Sequence, residues 1–336
     1  MEKFIEFFGL GTSPQDIYAL LDDIPSHYHT FYIAKKNGKK RKIEAPDDTL
    51  KVIQKLISIK LSKLHEKKTR SKRAVGFRKY INAKDGALRH VNMKEVLTMD
   101  IKNFFPSITS KNLKLALETF FATDKVCQEF IPSLISLCTL NGHLPQGAPT
   151  SPVLSNIFLK KFDTAMLVIT KNHKIEYTRY ADDLTFSGGK FKTKSQIAKA
   201  MDNRKKNGIP EPEPPKPITW LIPIVKSKLV ELGLIIHPVK TRIKRANRRQ
   251  VVTGIVVNKR INIDKTTRRA LRAQLHNMKT SGHVLAEHEY LSLRGKIAWI
   301  WSLNRLHATN LEKQLIDLSR EESAYNGLIT TSNTLL

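Results

Sequence analysis

A pair of neighbouring acidic residues between two strand-like segments is the feature that most constrains how this chain can fold. Residues 174–179 and 184–187 alternate between polar and apolar side chains, as β-strands do. The tetrapeptide that joins them, Tyr180-Ala181-Asp182-Asp183, is short enough to form a tight bend. The segment therefore predicts a β-hairpin that presents two adjacent carboxylates at its tip.

A third carboxylate, Asp100, follows the short apolar run at residues 96–99, which predicts a buried strand that ends at an acid. Carboxylates held close together repel each other, and a cation between them offsets the repulsion. Mg²⁺ favours sites that combine carboxylates with substrate phosphates, and two such ions can hold the attacking and leaving oxygens of a phosphoryl transfer. An Asp-Asp pair in a turn is more often simply solvated, so this assignment depends on the surrounding motifs.

The net charge of the chain predicts a polyanionic partner. The 58 Lys and Arg residues exceed the 30 Asp and Glu residues by 28, and nucleic acid is the polyanion that such a surface binds most readily. Binding should then weaken as salt rises. A basic globular protein associated with ribosomes remains an alternative on charge alone. The 336 residues, 40% of them hydrophobic, are enough for two or three packed subdomains.

The cysteines and the apolar runs bear on location. Cys127 and Cys138 are the only cysteines and lie in apolar, helix-like sequence, which favours reduced core thiols in a cytosolic protein. Residues 1–10 carry charges and lack a long apolar stretch, so no signal peptide is expected. No uncharged run approaches 18 residues, so no membrane association is expected either.

Several ordered motifs resemble those of reverse transcriptases, and specifically the bacterial retron type, across residues 31–310. They are Asp100-Ile101-Lys102-Asn103-Phe104-Phe105-Pro106-Ser107-Ile108, Leu144-Pro145-Gln146-Gly147-Ala148-Pro149-Thr150-Ser151-Pro152, Tyr177-Thr178-Arg179-Tyr180-Ala181-Asp182-Asp183-Leu184 and Val252-Thr253-Gly254. The resemblance implies an RNA-directed DNA polymerase in the bacterial cytoplasm. It also implies the α+β fold of a right-hand polymerase, with fingers, a palm made of an antiparallel sheet plus helices, and a helical thumb.

The expected domain boundaries follow from this resemblance and from local composition. They are an N-terminal helical extension at 1–30, fingers at 31–95, a palm at 96–264, a thumb at 265–322 and a flexible tail at 323–336. The palm would include fingers-like helices at 111–140. It would also carry an insertion at 204–223, because prolines at that density favour an extended, solvated segment.

The metal chemistry and the resemblance together make Asp100, Asp182 and Asp183 the expected catalytic and metal-binding residues. The backbone carbonyl of Ile101 is an additional expected oxygen ligand. The expected cofactor is a pair of Mg²⁺ ions, with Mn²⁺ as an alternative. In the implied reaction a primer hydroxyl attacks the α-phosphate of a dNTP, and metals stabilise the charge that builds on the phosphate oxygens.

Six residues are expected around the dNTP. They are Arg41, Lys36, Phe105, Gln146, Gly147 and Lys240. Phe105 matches a steric-gate position, where a ring would clash with a ribose 2′-hydroxyl, and either Phe104 or Phe105 is also expected in the core. Gln146 would contact the sugar and phosphates, and Lys240 could protonate the pyrophosphate leaving group. For Arg41 the alternative is a solvated basic hairpin.

Five basic residues in the C-terminal half of the chain are expected to contact nucleic acid. They are Arg245, Arg248, Arg249, Arg294 and Lys296. For the first three, a solvated turn is the alternative. Trp299 and Trp301 are two residues apart on a predicted helix and cannot face the same side. One of them is therefore expected in the core and the other at a contact.

The retron resemblance implies particular partners. These are a structured noncoding RNA of the msr-msd type as template and primer, dNTPs, an RNA–DNA hybrid product and a separate effector protein in antiphage defence. Priming would use a 2′-hydroxyl of an internal guanosine, which gives RNA-linked DNA (msDNA). One block departs from the retron pattern, because six residues separate Asn82-Ala83 from His90 where the pattern has two.

Four alternatives stay open at this point. A second enzyme hypothesis is an abortive-infection or group II intron-like reverse transcriptase: the altered block keeps the first open, and the expected lack of a maturase module argues against the second. A catalytically idle RNA-binding scaffold would share the positive charge, although it does not require the three carboxylates. An RNA-dependent RNA polymerase is disfavoured by Ala181, where glycine is usual, and by Phe105. A nucleotide cyclase would leave the Gln146-Gly147 motif unexplained.

Overall fold

The structure is a computed structural model that describes residues 1–35, 38–69, 71–191, 195, 203, 217–283 and 285–332, with only the backbone given for 320–332. Two short helices come first, α1 (Glu2–Phe8) and α2 (Pro14–Asp22). Ser13 caps α2, because its side chain accepts a hydrogen bond from the Asp16 N–H while Asp16 reaches back to Ser13. The sequence Ser-Pro-Gln-Asp, which is typical of a helix start, therefore begins a helix in the structure.

A two-stranded hairpin and a long helix follow. Strands β1 (Tyr28–Ala34) and β2 (Lys40–Pro46) pair antiparallel. Helix α3 (Asp48–Lys68) begins at Asp47, whose carboxylate accepts a hydrogen bond from the Leu50 N–H. Its buried positions recur at helical spacing and are Leu50, Ile53, Ile57 and Leu61. This spacing fixes which face of α3 packs into the core.

The centre of the molecule is a four-stranded antiparallel sheet in the order β4-β5-β3-β6. Its strands are β3 (Met93–Asp100), β4 (Glu176–Tyr180), β5 (Asp183–Lys190) and β6 (Arg242–Arg245). The central β3 pairs with β5 on one side and with β6 on the other. Pairing with β6 covers residues 95–98 of β3, and pairing with β5 continues to Asp100, which fixes the position of Asp100 against β5.

Helices pack around this sheet. Those before β4 are α4 (Ala83–Arg89), α5 (Phe104–Ser107), α6 (Ser110–Phe120), α7 (Lys125–Glu129), α8 (Ile131–Cys138), α9 (Ser151–Phe158) and α10 (Lys160–Asn172). After β5 come α11 (Leu221–Val230) and the hairpin β7 (Val251–Val252) and β8 (Ile255–Val256). The C-terminal helices are α12 (Lys265–Thr280), α13 (Glu287–Leu303) and α14 (Arg305–Ser332).

Buried side chains fall into one large cluster and two small ones. The large cluster runs from Phe4 to Ile236 and unites α1–α3, the sheet and helices α5–α11. A separate cluster is confined to α12–α14 and their connections, from Leu271 to Leu318. The mixed α+β arrangement with an antiparallel sheet and a helical C-terminal region is therefore as predicted. Cys127 and Cys138 are buried free thiols, also as predicted.

Three expectations about local structure are wrong. The insertion was expected to run to residue 223, but Ile218–Trp220 forms a helical turn with Ile218 in the core, and α11 starts at Leu221. Residues 204–216 lie outside the described residues. The β-branched run at residues 250–257 indicates a single strand, but the structure forms the β7–β8 hairpin, which turns at Thr253-Gly254. The tail expected from 323 continues α14 as far as Ser332.

Within the residues described, no helix combines the length and the apolar character that crossing a membrane requires.

Candidate active site

The β4–β5 hairpin carries its two acidic residues at the bend, as the sequence predicts. Tyr180 ends β4, Asp183 begins β5, and the two are paired in register. Ala181 between them has a φ of 54°. This left-handed conformation costs a residue with a Cβ about 1–2 kcal/mol, so the rest of the hairpin must hold the bend in place.

Asp100 lies directly opposite Asp183 in the pairing of β3 with β5. Residues opposite each other in an antiparallel sheet have their Cβ atoms about 5 Å apart. The N–H of Ile101 donates to the carbonyl of Asp182 at 3.0 Å. Asp100, Asp182 and Asp183 therefore lie near one another at one end of the sheet, with the backbone of Ile101 bonded to the hairpin beside them.

Two of the three acidic residues, Asp182 and Asp183, have a raised pKa. Burial, followed by the charge of Asp100, raises the pKa of Asp182, while Lys240 and Arg41 partly oppose this. Desolvation by the surrounding protein, then Asp182 and Asp100, raises the pKa of Asp183 to about 6. Because the Asp183 side chain remains exposed, water weakens the desolvation effect, and repulsion between the carboxylates is the cause that the geometry supports directly. An added cation would relieve that repulsion.

Lys240 is the cation nearest to Asp100. Its Nζ donates to both carboxylate oxygens, at 2.9 Å to Oδ1 and 2.8 Å to Oδ2. It stands on a helical turn, Pro238–Lys240, which is fastened to β3 because the His237 N–H donates to the Asp100 carbonyl at 2.7 Å. The structure therefore brings Lys240 to the carboxylates, as the sequence suggested.

The donor set fits an open metal site and not a closed one. In the described ranges, no three His, Cys, Asp or Glu side chains converge on one point as they would around a fully caged ion. Carboxylates on two neighbouring strands, with a backbone carbonyl beside them, suit hard divalent cations that take their remaining ligands from water or substrate. Asp100 would have to exchange at least part of its bond to Lys240 for such an ion.

A groove of about 490 Å³ lies next to the carboxylates. It is lined on the sheet side by Asp100, Asp183 and Lys240, and on the far side by the turn at Thr253. Arg242 also lines it and keeps an exposed side chain. A polyanion could therefore reach the carboxylates along a basic wall.

The hairpin formed by β1 and β2, the fingers hairpin, is docked onto the Gln146-Gly147 motif. The Glu44 N–H donates to the Gln146 carbonyl at 3.0 Å. A Cβ on Gly147 would come within 2.6 Å of the Glu44 carbonyl oxygen, so only glycine fits there. The buried Glu44 carboxylate also accepts hydrogen bonds from Lys42 at 2.7 Å and from His143 at 3.2 Å. Sequence reasoning missed Glu44 and His143.

Arg41 lies on β2 of this hairpin, and its charge acts on one of the carboxylates. Its side chain is exposed, and its charge lowers the pKa of Asp182. Lys36, the second basic residue predicted on the hairpin, lies outside the described residues. Gln146 is half-buried in the motif loop that docks against β2. Arg41 thus lies close enough to act on Asp182, and Gln146 lies against the hairpin that carries Arg41. Nothing in the geometry tests a dNTP contact.

Phe104 and Phe105 divide as expected between core and surface. Phe104 is buried, whereas Phe105 is half-buried. The ring of Phe105 lies 6.2 Å from that of Phe77, which in turn lies 6.4 Å from Tyr180. Phe77 was not predicted from the sequence, although the Gly76-Phe77 pair next to a basic stretch was noticeable. The rings of Phe77, Phe105 and Tyr180 form an aromatic cluster beside the acidic bend.

The buried side chain of Arg179 bonds to the acidic bend from the protein interior. Sequence reasoning missed this residue as well. Its side chain is fully buried and donates to both Asp163 oxygens, at 2.9 and 2.7 Å. It also donates to the Ala181 carbonyl at 3.2 Å and to the Asn156 side chain at 3.1 Å. Tyr177 donates its hydroxyl to the same Asp163 at 2.7 Å. A charged pair in the core thus fixes the left-handed residue of the bend.

The five residues predicted to contact nucleic acid differ in their surroundings within the protein. Arg245 pairs with Glu95 at 3.3 Å, and Arg249 pairs with Asp264. The side chains of Arg248, Arg294 and Lys296 are exposed. The structure thus keeps Arg294 and Lys296 on the surface of α13.

The expectation for the two tryptophans is wrong. Trp299 and Trp301 are 42% and 45% exposed, so neither belongs to the core. Leu293, Ile297 and Ile300 occupy the buried face of α13 instead. The guanidinium of Arg305 stacks over the Trp301 ring at 4.6 Å.

The altered block around Asn82 has a clear structural role. Asn82 caps α4, and His90 follows its last residue. His90 is fully buried, and its ring nitrogens lie 2.7 Å from the Ser187 hydroxyl and 2.8 Å from that of Thr178. Ser187 belongs to β5 and Thr178 to β4, so His90 is hydrogen-bonded to both strands of the acidic hairpin.

Comparison with known proteins agrees with this arrangement. Residues 33–257 match the family described as Reverse transcriptase (RNA-dependent DNA polymerase). The Retron Mx162 and Mx65 reverse transcriptases of Myxococcus xanthus are 31% and 32% identical to this chain, over 90% and 86% of it. The match covers 63% and 64% of those relatives, so the chain spans less than two thirds of their length.

Two further comparisons are more distant. The Retron Ec86 reverse transcriptase of Escherichia coli is 27% identical over 82% of this chain and 77% of its own. A structure of apo telomerase from Candida Tropicalis aligns with a TM-score of 0.48 and 12% identity, over 88% of this chain and 61% of that one. The resemblance to retron enzymes is thus confirmed as a similarity of sequence. Reverse transcriptases as a group use divalent metal ions. With two thirds of its length matched, this chain belongs to the reverse transcriptase family.

Proposed function

We propose that this protein is an RNA-directed DNA polymerase of the retron type. The observation that carries the proposal is the meeting of Asp100, Asp182 and Asp183 at one end of the central sheet, with Lys240 bonded to Asp100. A scaffold that only bound RNA would not need three carboxylates in one place, two of which have a pKa raised by burial and then by their acidic neighbours. A site that binds cations and phosphates does need them.

In this proposal Asp100, Asp182, Asp183 and the Ile101 carbonyl hold two Mg²⁺ ions, with Mn²⁺ as an alternative. Bound there, the ions would stabilise the negative charge that develops as a primer hydroxyl displaces pyrophosphate from a dNTP. The chain itself orients these ligands through the β3–β5 register and the bend at Ala181. Lys240, which lies against Asp100, would be the residue that donates a proton to the departing pyrophosphate.

The dNTP would lie between the fingers hairpin and the palm. Arg41 supplies a positive charge for the triphosphate, and Lys36 would add another. Gln146 and Gly147 are held against β2 by the Glu44 backbone, which gives the pocket a fixed wall. Phe105 presents a half-exposed ring on the opposite side, suited to excluding a 2′-hydroxyl.

The substrate and cellular role belong to the same proposal. The enzyme would copy part of a structured noncoding RNA of the msr-msd type, which is both template and primer, into RNA-linked single-stranded DNA. It would do so in the bacterial cytoplasm, with a separate effector protein, in antiphage defence. Similarity to several retron reverse transcriptases supports this choice over an abortive-infection or intron-like enzyme. We propose fingers at 31–95, a palm at 96–264 and a thumb that begins at 265.

The test is to purify the protein from cells that express its native locus and to analyse the bound nucleic acid with and without ribonuclease. We expect a short DNA joined covalently to RNA. Asp182→Asn should abolish that DNA, with a loss of at least about 100-fold, while RNA still co-purifies. Asp22→Asn, an exposed acid at the end of α2, is the matched control and should behave as wild type.

Other outcomes separate the alternatives. RNA without any DNA in the wild type would contradict a polymerase and favour the scaffold. DNA that carries no linked RNA would favour an abortive-infection type of enzyme. DNA synthesis that survives Asp182→Asn would overturn the assignment of the site.

A further inference from the structure

A short segment leads directly away from the acidic bend. A Cβ on Gly76 would come within 2.6 Å of the Ala181 nitrogen, and the Gly76 carbonyl accepts a hydrogen bond from Asn156 at 3.0 Å. Just before it, Val75 donates its N–H to the Arg179 carbonyl at 2.8 Å. Residues 77–80 therefore start in contact with the bend. Tyr80 is four residues beyond Gly76 and so lies at most about 14 Å from it.

A buried arginine anchors this segment from inside. The Arg78 side chain is only 3% exposed, and its guanidinium bonds to both oxygens of Glu66 and to the Ser71 carbonyl. A paired guanidinium in the interior is expensive to disturb. Arg78 thus fastens the middle of the segment to α3, while its neighbours on either side point outward.

Those neighbours include two aromatic residues in left-handed backbone conformations. Phe77 and Tyr80 have φ values of 61° and 63°. Phe77 is 42% exposed beside Phe105 and Tyr180, and Tyr80 is 88% exposed. A bulky residue at positive φ is rare, and here the strained backbone displays a large ring to solvent. Core packing does not account for Tyr80.

Positive charge surrounds the Tyr80 ring. The Lys79 ammonium lies 4.8 Å from the ring centroid. A groove of about 380 Å³ begins at Tyr80 and is lined by Lys72, Leu88 and Arg89, together with Ile81 and Asp85. The only acid in that lining, Asp85, accepts a hydrogen bond from the Asn82 N–H in the cap of α4 at 2.9 Å. The groove therefore offers an exposed ring and an apolar wall among cations.

This combination matches the chemistry of single-stranded nucleic acid. An exposed ring can stack on any base, and nearby Lys and Arg side chains can contact the phosphates of the strand. A duplex does not present free base faces to such a ring, because its bases stack on one another. An acidic peptide would use the cations but would leave the Tyr80 ring without a matching partner.

We propose that Tyr80 and the adjoining groove bind the unpaired template RNA ahead of the site of synthesis. A base stacks on Tyr80, its phosphates contact Lys72, Lys79 and Arg89, and the strand passes Phe77 on its way to the acidic bend. This inference rests on the proposed function, since only a templated polymerase needs a path for an unpaired strand beside its carboxylates.

The test compares two RNA–DNA duplexes of the same paired length by equilibrium binding. One has a single-stranded 5′ RNA overhang and the other is blunt. Tyr80→Ala should weaken binding of the overhang duplex by about tenfold, the size of one lost base stack, and should leave the blunt duplex unaffected. Tyr80→Phe keeps the ring and should bind as wild type. Tyr18→Ala removes a 53% exposed tyrosine on α2 and is the matched control.

The results separate the two proposals. Unchanged binding of the overhang duplex by Tyr80→Ala overturns the stacking site, and so does an equal loss for both duplexes. Primer extension on the overhang duplex is measured in parallel with the wild type. Binding that depends on Tyr80 without any extension would contradict the polymerase but retain the stacking site. Primer extension together with binding that does not depend on Tyr80 would support the polymerase and overturn the stacking site.

Discussion

The palm around the acidic bend and the C-terminal helices α12–α14 are stabilised in different ways. At the bend, buried polar side chains bond to one another, with Arg179 and Asp163 at the centre. The C-terminal helices enclose a small apolar cluster of their own, mostly leucine and isoleucine. Their outer surface carries exposed cations such as Arg294 and Lys296. Polar side chains are thus buried around the bend, whereas in the C-terminal helices they lie on the surface.

The difference fits the roles that we propose for the two regions. Catalytic carboxylates need positions fixed to a fraction of an ångström, and a buried network with defined hydrogen bonds provides that. A surface that follows a nucleic acid backbone needs charge and some freedom, which long exposed side chains provide. A substitution of the same chemical kind should therefore have a large effect at the bend and a small effect in the C-terminal helices.

The largest contrast is expected between two arginines. Arg179→Ala leaves Asp163 buried without its cation and removes the bond to the Ala181 carbonyl. Breaking a buried ion pair from one side costs about 3–5 kcal/mol. Arg294→Ala removes an exposed side chain and should change stability by about 0.5 kcal/mol or less. Urea unfolding followed by circular dichroism measures both free energies.

A second measurement separates positioning from simple stability. At a temperature where Arg179→Lys is still folded, its DNA synthesis rate should fall while its affinity for RNA is retained, since a lysine cannot bond Asp163, Asn156 and Ala181 together. Equal unfolding free energies for Arg179→Ala and Arg294→Ala would refute the contrast. So would a fully active Arg179→Lys.

The two regions also differ in how far the sequence predicts them. The acidic hairpin, α3 and the strand before Asp100 follow from local periodicity and from the acids at their ends. Asp163, by contrast, is 16 residues from Arg179 and on another element, and nothing local marks a charged pair as buried. Phe77 and the pairing of Glu44 with His143 were missed for the same reason, because the partners are distant in sequence.

Errors were greatest where amphipathic patterns were weak. In α13 the spacing of Trp299 and Trp301 shows that they face different sides, but the larger aliphatic face of Leu293, Ile297 and Ile300 takes the core. At 250–257 the β-branched run indicates strand, while only the left-handed Thr253 and Gly254 divide it into a hairpin. Composition at 204–223 indicates an extended segment, yet Ile218 reaches the core.

Acidification should weaken the palm through His90. Burial, and then the charges of Arg73 and Arg89, lower the pKa of His90 to about 3. Below about pH 6.5 the unfolded chain binds a proton that the folded His90 does not. Stability is therefore full above pH 6.5 and is lost progressively as pH falls toward 3, by about 1.4 kcal/mol per pH unit.

The matched pair for this effect is His90→Gln and His288→Gln, the second an exposed histidine on α13. Unfolding free energies are measured between pH 7 and pH 5. The advantage of wild type over His90→Gln should shrink as pH falls, since glutamine does not titrate, whereas its difference from His288→Gln should stay constant. His65, whose pKa burial and then Arg78 lower to about 4, adds a similar slope in all three proteins. A constant gap between wild type and His90→Gln would contradict the effect.

The smallest effect is expected among the surface cations and concerns salt and not stability. Arg249 is already paired with Asp264, whereas Arg294 is exposed on α13. If Arg294 contacts a phosphate, Arg294→Ala lowers the slope of log affinity against log salt by about one. Arg249→Ala should lower it less, because much of its charge is compensated within the protein. RNA binding measured at several salt concentrations gives both slopes, and a larger change for Arg249→Ala would mean that the ion pair opens when RNA binds.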